Sequence, residues 1–281
     1  MTSMKYHYLE IGTQTPKNHS YFTGSMFRGA LGYALKKVVC INPSFECDNC
    51  FARENCLFYE FYEQKNVMHN YRLDIELGRK DYSFGLYLFS SATEKLPYVL
   101  SAIHQMFTQQ GLGRDKEKIR DFTIKVDNQE VYNSQEFGKF NEIEAQSTEV
   151  EASVLPTQNI LLKLQTPLRI KKNNRFLRDT VELEDILRSI NQRYTQLSTG
   201  ESYAKLDYTP TYTTISKSLE YKTLIRKSNR QKTKMNMDGV MGEMVLAGID
   251  ARSVELLKIG EIIGVGKQTV FGLGRIEAKS F

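Results

Sequence analysis

The sequence predicts an α+β protein of two tandem ferredoxin-like (RRM-like) units with a C-terminal glycine-rich loop. Three observations carry this. The order strand, helix, strand pair, helix, strand runs twice along 281 residues, and that order is the ferredoxin-like unit. A polar, acidic stretch separates the two runs. Two G-x-G pairs stand just before the last strand. The expected boundaries are 1–132 for the first unit with a four-cysteine insertion, 133–157 for a linker, and 158–281 for the second unit.

Each element follows from its pattern. "KYHYLEIG", Lys5 to Gly12, alternates as a strand. In "YFTGSMFRGALGYALKKVV", Met26, Phe27, Ala30, Leu31, Ala34, Leu35 and Val38 recur at helical spacing, with Arg28, Lys36 and Lys37 off the stripe. "YRLDIELG" and "YSFGLYLF" read as paired strands around a charged turn at Arg79 to Asp81. "SATEKLPYVLSAIHQMFTQQ" reads as a helix, with Pro97 in its first turn and Gly111 at its end. "FTIKVDN" closes the first unit. In the second, "NILLKLQTPLRI" is a strand and "VELEDILRSINQRYTQL" an amphipathic helix. "TTISKSLEYKTLIR" and "GVMGEMVLAG" are strands, "SVELLKIGEII" a short helix, and "FGLGRIEA" the last strand.

Composition limits the function classes. Hydrophobic residues make up 41% of the chain, enough for a core, yet no apolar run reaches the length of a membrane span. The first residues lack a signal-peptide pattern, so a cytoplasmic location without membrane attachment is expected. The formal charge is only +5. Its distribution says more: Lys222, Arg226, Lys227, Arg230, Lys232 and Lys234 fall in one segment without an acid. Such a stripe suits a phosphate backbone, the alternative being a solvated loop.

All four cysteines lie in "CINPSFECDNCFARENC", as Cys40, Cys47, Cys50 and Cys56. The C-x2-C turn lets two thiolates converge on one ion, and two more close a tetrahedral structural zinc site. An iron–sulfur cluster and unligated thiols are the alternatives. "GVGKQTVFGLGRIE" carries Gly264, Gly266, Gly272 and Gly274 around Lys267. It lacks G-x-G-x-x-G, and Gly266-Lys267-Gln268 lacks the Ser or Thr of a nucleotide-triphosphate loop. Two readings remain: a loop that lets backbone N–H groups approach a phosphate closely, or glycines serving hairpin geometry alone.

Taken together, "FTGSMFRGALGYALKKVVC", "RKSNRQKTKMNMDGVMGEMVL" and "IGVGKQTVFGLGRIE" resemble the first helix, basic hairpin and glycine-rich loop of a known family. It is that of the precursor-crRNA-processing endoribonucleases, the sixth Cas family of the RAMP superfamily. "QQGLGRDK" is similar to a weaker glycine loop in the first unit. The resemblance implies binding of CRISPR repeat RNA and one metal-independent cut per repeat. The ribose 2′-OH would attack the adjacent phosphate, giving a 2′,3′-cyclic phosphate and a 5′-OH. The alternative is a non-catalytic RAMP-type subunit holding crRNA in an effector complex. Other Cas subunits are then expected partners, with the chain a monomer or dimer.

That reaction needs a base, donors for the phosphorane charge and an acid. His19, in the loop before the first helix, is the candidate base or acid. Tyr21 and Lys36 are secondary catalytic candidates, to orient the 2′-OH and to stabilise charge. Arg28 is expected to hold a phosphate or brace the fold. Arg226, Lys227, Arg230, Lys232, Lys234, Lys267 and Arg275, with the four glycines, are the expected RNA contacts. His7, His69 and His104 read as packing or surface residues.

Overall fold

The computed structural model describes residues 3–14, 16, 20–113, 115–140, 142–148, 158–178, 181–227 and 234–281; at Gln158, Ile225, Arg226, Lys227 and Lys234 it describes the backbone. Two compact units emerge. The amino-terminal unit comprises Lys5–Leu73 and Gly78–Gln146. The carboxy-terminal unit comprises Met1–Met4, Asp74–Leu77 and Ser147–Phe281.

The amino-terminal unit is built on β1 (Lys5–Thr13), α1 (Gly24–Val39), β2 (Tyr71–Asp74), β3 (Phe84–Phe89), α2 (Leu96–Gln105), β4 (Phe122–Val126), β5 (Gln129–Tyr132) and β6 (Gln146–Ser147). The sheet order is β2-β3-β1-β4-β5, with β6 beside β1. Its first four strands thus follow the ferredoxin-like order 2-3-1-4. Central β1 runs antiparallel to β3 and β4, pairing Leu9 with Leu86 and with Val126. Alternation decides what is buried: His7, Leu9, Ile11 and Thr13 face inward while Glu10 faces out. Phe27, Leu31 and Leu35 of α1 and Val99 and Ile103 of α2 complete this core. Lys36 and Lys37 close α1 at its negative end.

Two boundaries differ from expectation. The second helix begins as a 3₁₀ turn over Ser90–Lys95 and becomes α-helical only at Leu96, where Pro97 fits the first turn. It ends in a wide turn at Gly111, whose φ of 77° needs glycine. The strand read through "YRLDIELG" stops at Asp74, because Asp74–Leu77 join the carboxy-terminal unit. Of the stretch read as a linker, the residues up to Gln146 lie with the amino-terminal unit, and 149–157 fall outside the described residues.

The carboxy-terminal unit repeats the plan with β7 (Gln158–Leu168), β8 (Lys171–Lys172), β9 (Arg175–Phe176), α3 (Leu183–Thr199), β10 (Thr213–Lys222), β11 (Ile225–Lys227), β12 (Lys234–Asn236), β13 (Gly239–Ile249), α4 (Ala251–Ile263) and β14 (Ile276–Ser280). The sheet order β10-β13-β7-β14 is again 2-3-1-4. Ile160, Leu162 and Leu164 of β7 meet Ile186, Leu187 and Ile190 of α3 and Leu256, Leu257 and Ile263 of α4 in a core with 2% or less exposure at each. Burying each such side chain stabilises by roughly 1.5–3 kcal/mol. Asp250 caps α4 by accepting from Ser253 N at 2.9 Å. Gly200, at φ 78°, ends α3. The last strand starts at Ile276, later than read, because Thr269–Phe271 form a 3₁₀ turn.

Candidate nucleic-acid interface

Three basic or glycine-rich elements of the carboxy-terminal unit meet at Arg169, just past the end of β7. The first is the loop after α4. Lys267 N donates to Arg169 O at 2.9 Å, and Gly266 N to Ser189 Oγ at 2.9 Å. The second is the hairpin of β10 and β11 with β12 and β13. Its two ladders are interrupted at Leu224 and Met237–Asp238, where Leu224 N donates to Asp238 Oδ1 and Met237 N to Leu224 O. Arg169 Nη1 donates to Asp238 O, tying this interruption to β7. The third is the short β8–β9 hairpin, whose Phe176 ring lies under the Arg169 guanidinium at 4.3 Å. Arg169 is 7% exposed, and its Nε has no partner among the described residues. Burial pulls its pKa down, against the opposing pull of Tyr221 and Asp238.

The glycine loop is rigid and largely self-satisfied. Val265 N donates to Gly274 O at 2.8 Å, Gly274 N to Pro167 O at 3.2 Å, and Gly272 N to Thr269 O at 2.8 Å. Thr166 Oγ1 donates to Gly272 O and accepts from Arg275 N. A Cβ on Gly274 would stand 1.9 Å from Val265 O, and one on Gly272 would stand 2.4 Å from Ile75 Cγ1. Gly264, Gly272 and Gly274 are buried; Gly266 is half-exposed and Lys267 exposed. The backbone N–H groups at 265, 266, 267, 272 and 274 point into the protein. The loop therefore offers a ligand the Lys267 ammonium more than a cradle of amides. Beside it, Gln268 takes a left-handed φ of 67° without being glycine, and its Oε1 is buried without a partner among the described residues. Strain and an unmet acceptor at a loop tip mark a functional position. Sequence reading passed over Gln268, because glutamine carries no left-handed signature.

The other expected residues divide among several places. Arg275 braces the unit: its Nη1 donates to Ile75 O at 3.2 Å and its Nε stands 3.6 Å from Asp74 Oδ1. Arg28 is half-buried; its guanidinium lies 4.6 Å from the Tyr62 ring centroid, and Tyr62 hydroxyl donates to Arg28 O. It fills the bracing half of its expected role. Arg226 and Lys227 pair with Met235 and Lys234 across β11 and β12. His19, Arg230 and Lys232 lie outside the described residues. Tyr21, 51% exposed, packs beside Gly78, whose N–H donates to Tyr21 O.

Lys36 is not with Tyr21. The two flank α1 at opposite ends, about 20 Å apart at 1.5 Å per residue. The Lys36 ammonium instead lies 5.0 Å from the Phe58 ring centroid and lines the pocket that holds Cys47. All four cysteines are free, half-buried and line one cavity of about 10 Å³ together with Lys36, Glu46, Arg53, Phe58 and Tyr59. Burial raises the Cys47 thiol pKa, and Lys36 opposes that. The thiols share the cavity, but among the described residues no three His, Cys, Asp or Glu side chains are arranged to hold a metal ion. The described histidines serve packing. His7 binds buried Asp127, His69 pairs with Glu60 O, and His104 stacks on Tyr132 and Phe137. No helix among the described residues is long and apolar enough to cross a membrane.

Part of the chain matches a known family. Residues 162–276 match the model of the CRISPR-associated endoribonuclease Cas6, and residues 3–148 match a model described as an N-terminal domain. The match to Cas6 thus lies in the carboxy-terminal part of the chain. An uncharacterized protein of Archaeoglobus fulgidus is 24% identical, over 92% of this chain and 92% of its own. Among solved structures, a Cas6 product complex has a TM-score of 0.55 at 14% identity, covering 99% of this chain and all of that one. Thermus thermophilus Cas6 scores 0.51 at 13% identity, over 99% of both chains. A partial Cas6-RT-Cas1–Cas2 complex scores 0.55 at 13%, covering all of this chain and 46% of that one. The shared fold is the tandem ferredoxin-like arrangement of Cas6.

Proposed function

We propose that this protein binds the repeat RNA of CRISPR transcripts and cuts it once per repeat without a metal. The observation that carries the reading is the convergence at Arg169 of the glycine loop and the basic hairpin, within the part of the chain that matches the endoribonuclease family. Lys267 is exposed there and free to approach a phosphate. Arg226, Lys227 and Lys234 lie on the hairpin strands, and with Arg230 and Lys232, outside the described residues, they are the proposed contacts to the RNA backbone. An A-form stem is read by shape, since its deep major groove admits side chains poorly.

The chemistry follows from RNA itself. The 2′-OH loses its proton to a base and attacks the adjacent phosphorus; the 5′-oxygen leaves with a proton from an acid. The products are a 2′,3′-cyclic phosphate and a 5′-OH. His19 is the proposed proton-transfer group and Tyr21 the residue that orients the ribose, while Lys267 is a proposed RNA-backbone contact. Lys36 belongs to the cysteine pocket and drops out of the catalytic set. Repeat RNA incubated in EDTA should be cut at one position, and RNA with a 2′-deoxy at that position should be bound but not cut. Cleavage that requires added divalent metal would overturn the mechanism. Binding without cleavage under every condition would make the chain a crRNA-holding subunit instead.

We also propose a structural zinc in the cysteine pocket, the thiolates closing on it as they lose their protons. What supports this is the lining of one small cavity by all four thiols. Assembly with other Cas subunits belongs to the same reading, as a similar fold occurs in a Cas6-RT-Cas1–Cas2 complex.

A further inference from the structure

The short β8–β9 hairpin stands outside every element so far given a role. Its sequence and its neighbours "RIKKNNRFLR", Arg169 to Arg178, hold Arg169, Lys171, Lys172, Arg175 and Arg178 and no acid. This is as dense a cationic run as the long hairpin carries. Asn173 and Asn174 both take left-handed φ, 51° and 61°. That is the two-residue turn that fits a twisted hairpin, and asparagine tolerates it. Lys172 thereby faces Arg175, and Lys171 faces Phe176.

The cations are displayed rather than neutralised. Lys171, Lys172, Arg175 and Arg178 are exposed. Lys172 pairs with Asp185 Oδ1 at 2.9 Å. Among the described residues, no carboxylate pairs with Lys171, Arg175 or Arg178. Aromatic rings hold two of these three in place. Lys171 Nζ lies 5.1 Å from the Phe176 centroid, on the ring that also carries Arg169, and Arg178 lies 5.4 Å from the Tyr221 centroid on β10. Such contacts limit rotamer freedom without cancelling charge. Leu177 N donates to Ile170 O at 2.9 Å and closes the base of the hairpin. Through Arg169 the hairpin is bonded to both the glycine loop and the root of the long hairpin.

We propose that Lys171, Arg175 and Arg178 form a second phosphate-binding patch, which takes the phosphodiester backbone of the bound RNA next to the stretch held by Lys267 and the long hairpin. Arg169 and Phe176 are positioning residues for it. The proposal rests on the RNA-binding reading above. It adds contacts that carry affinity but no sequence information, because phosphates are the same at every nucleotide.

Each phosphate contact adds about 0.7–0.9 to the slope of log affinity against log salt. Removing three should lower that slope by roughly 2–3. The probe is labelled repeat RNA from the CRISPR array of the same genome, titrated by fluorescence anisotropy across a salt series. The triple variant Lys171→Ala/Arg175→Ala/Arg178→Ala should show this lower slope and keep the wild-type circular dichroism melt. A charge-retaining triple, Lys171→Arg/Arg175→Lys/Arg178→Lys, should keep the wild-type slope. If the alanine triple binds with wild-type affinity and slope, the patch is refuted and the RNA reading stands. Equal losses in both triples would refute a charge-based contact. A wild-type protein that binds no repeat RNA at low salt would remove both proposals together.

Discussion

Replacing Gly274 with alanine tests whether the loop glycines serve geometry. The new Cβ would stand 1.9 Å from Val265 O and 2.9 Å from Val265 N, at a φ of 75°. No side chain can rotate away from a backbone oxygen, so the chain itself must move. The left-handed conformation alone costs about 1 kcal/mol for alanine. Movement also breaks the pair Val265 N to Gly274 O and Gly274 N to Pro167 O in a buried place. Each lost bond that leaves a buried group unmet costs roughly 1–3 kcal/mol. The sum is about 3–7 kcal/mol, a large share of the ~5–15 kcal/mol that holds a domain together. Gly248 provides the control: its φ is 61°, but nothing lies within 4 Å of its Cβ position. Gly248→Ala should cost only about 1 kcal/mol. Urea unfolding followed by circular dichroism suits the chain, which has no tryptophan to report by fluorescence. Equal losses at Gly274 and Gly248 would show that the steric argument is wrong.

Other outcomes follow from the same contacts. Lys267→Ala should leave stability within about 0.5 kcal/mol of wild type, while weakening repeat-RNA binding and lowering its salt slope by about 1; unchanged binding would remove Lys267 from the interface. Burial lowers the His104 pKa from its ordinary value. The unfolded chain then binds more protons just below about pH 6.5, so stability falls as pH drops from there towards the lowered folded value. His104→Phe should flatten that part of the pH–stability curve, and an unchanged curve would assign it elsewhere. Purified protein should carry about one zinc per chain, lost in a quadruple Cys→Ser variant; anaerobic preparations without metal would refute the zinc site.

The architecture was legible because the 2-period of β1 and β7 and the 3.6-period of α1 and α3 are strong. A repeated element order then implies a repeated sheet order. The roles of the loop glycines were not legible. One of the two readings has their N–H groups facing a phosphate, yet Gly274 N donates to Pro167 O and Gly266 N to Ser189 Oγ, acceptors far away in sequence. Arg169 escaped notice for the same reason: a lone arginine at a strand end gives no sign that two hairpins and a loop will meet on it. Tyr21 and Lys36 are candidates by residue type alone, which says nothing of the helix that separates them. The basic run after β7 was overlooked because attention stopped where the apolar alternation stopped.

Asp74–Leu77 also bears on how the chain can be divided. These residues come early in synthesis, yet they belong to the carboxy-terminal unit, where Ile75 lies against Gly272 and Asp74 faces Arg275. A fragment starting at residue 158 would lack them. It would leave the Arg275 guanidinium without its carboxylate and open a gap beside the glycine loop. The two ferredoxin-like repeats are therefore interleaved rather than strung in series. Shuffling one against the half of a relative would carry a mismatched piece against the glycine loop.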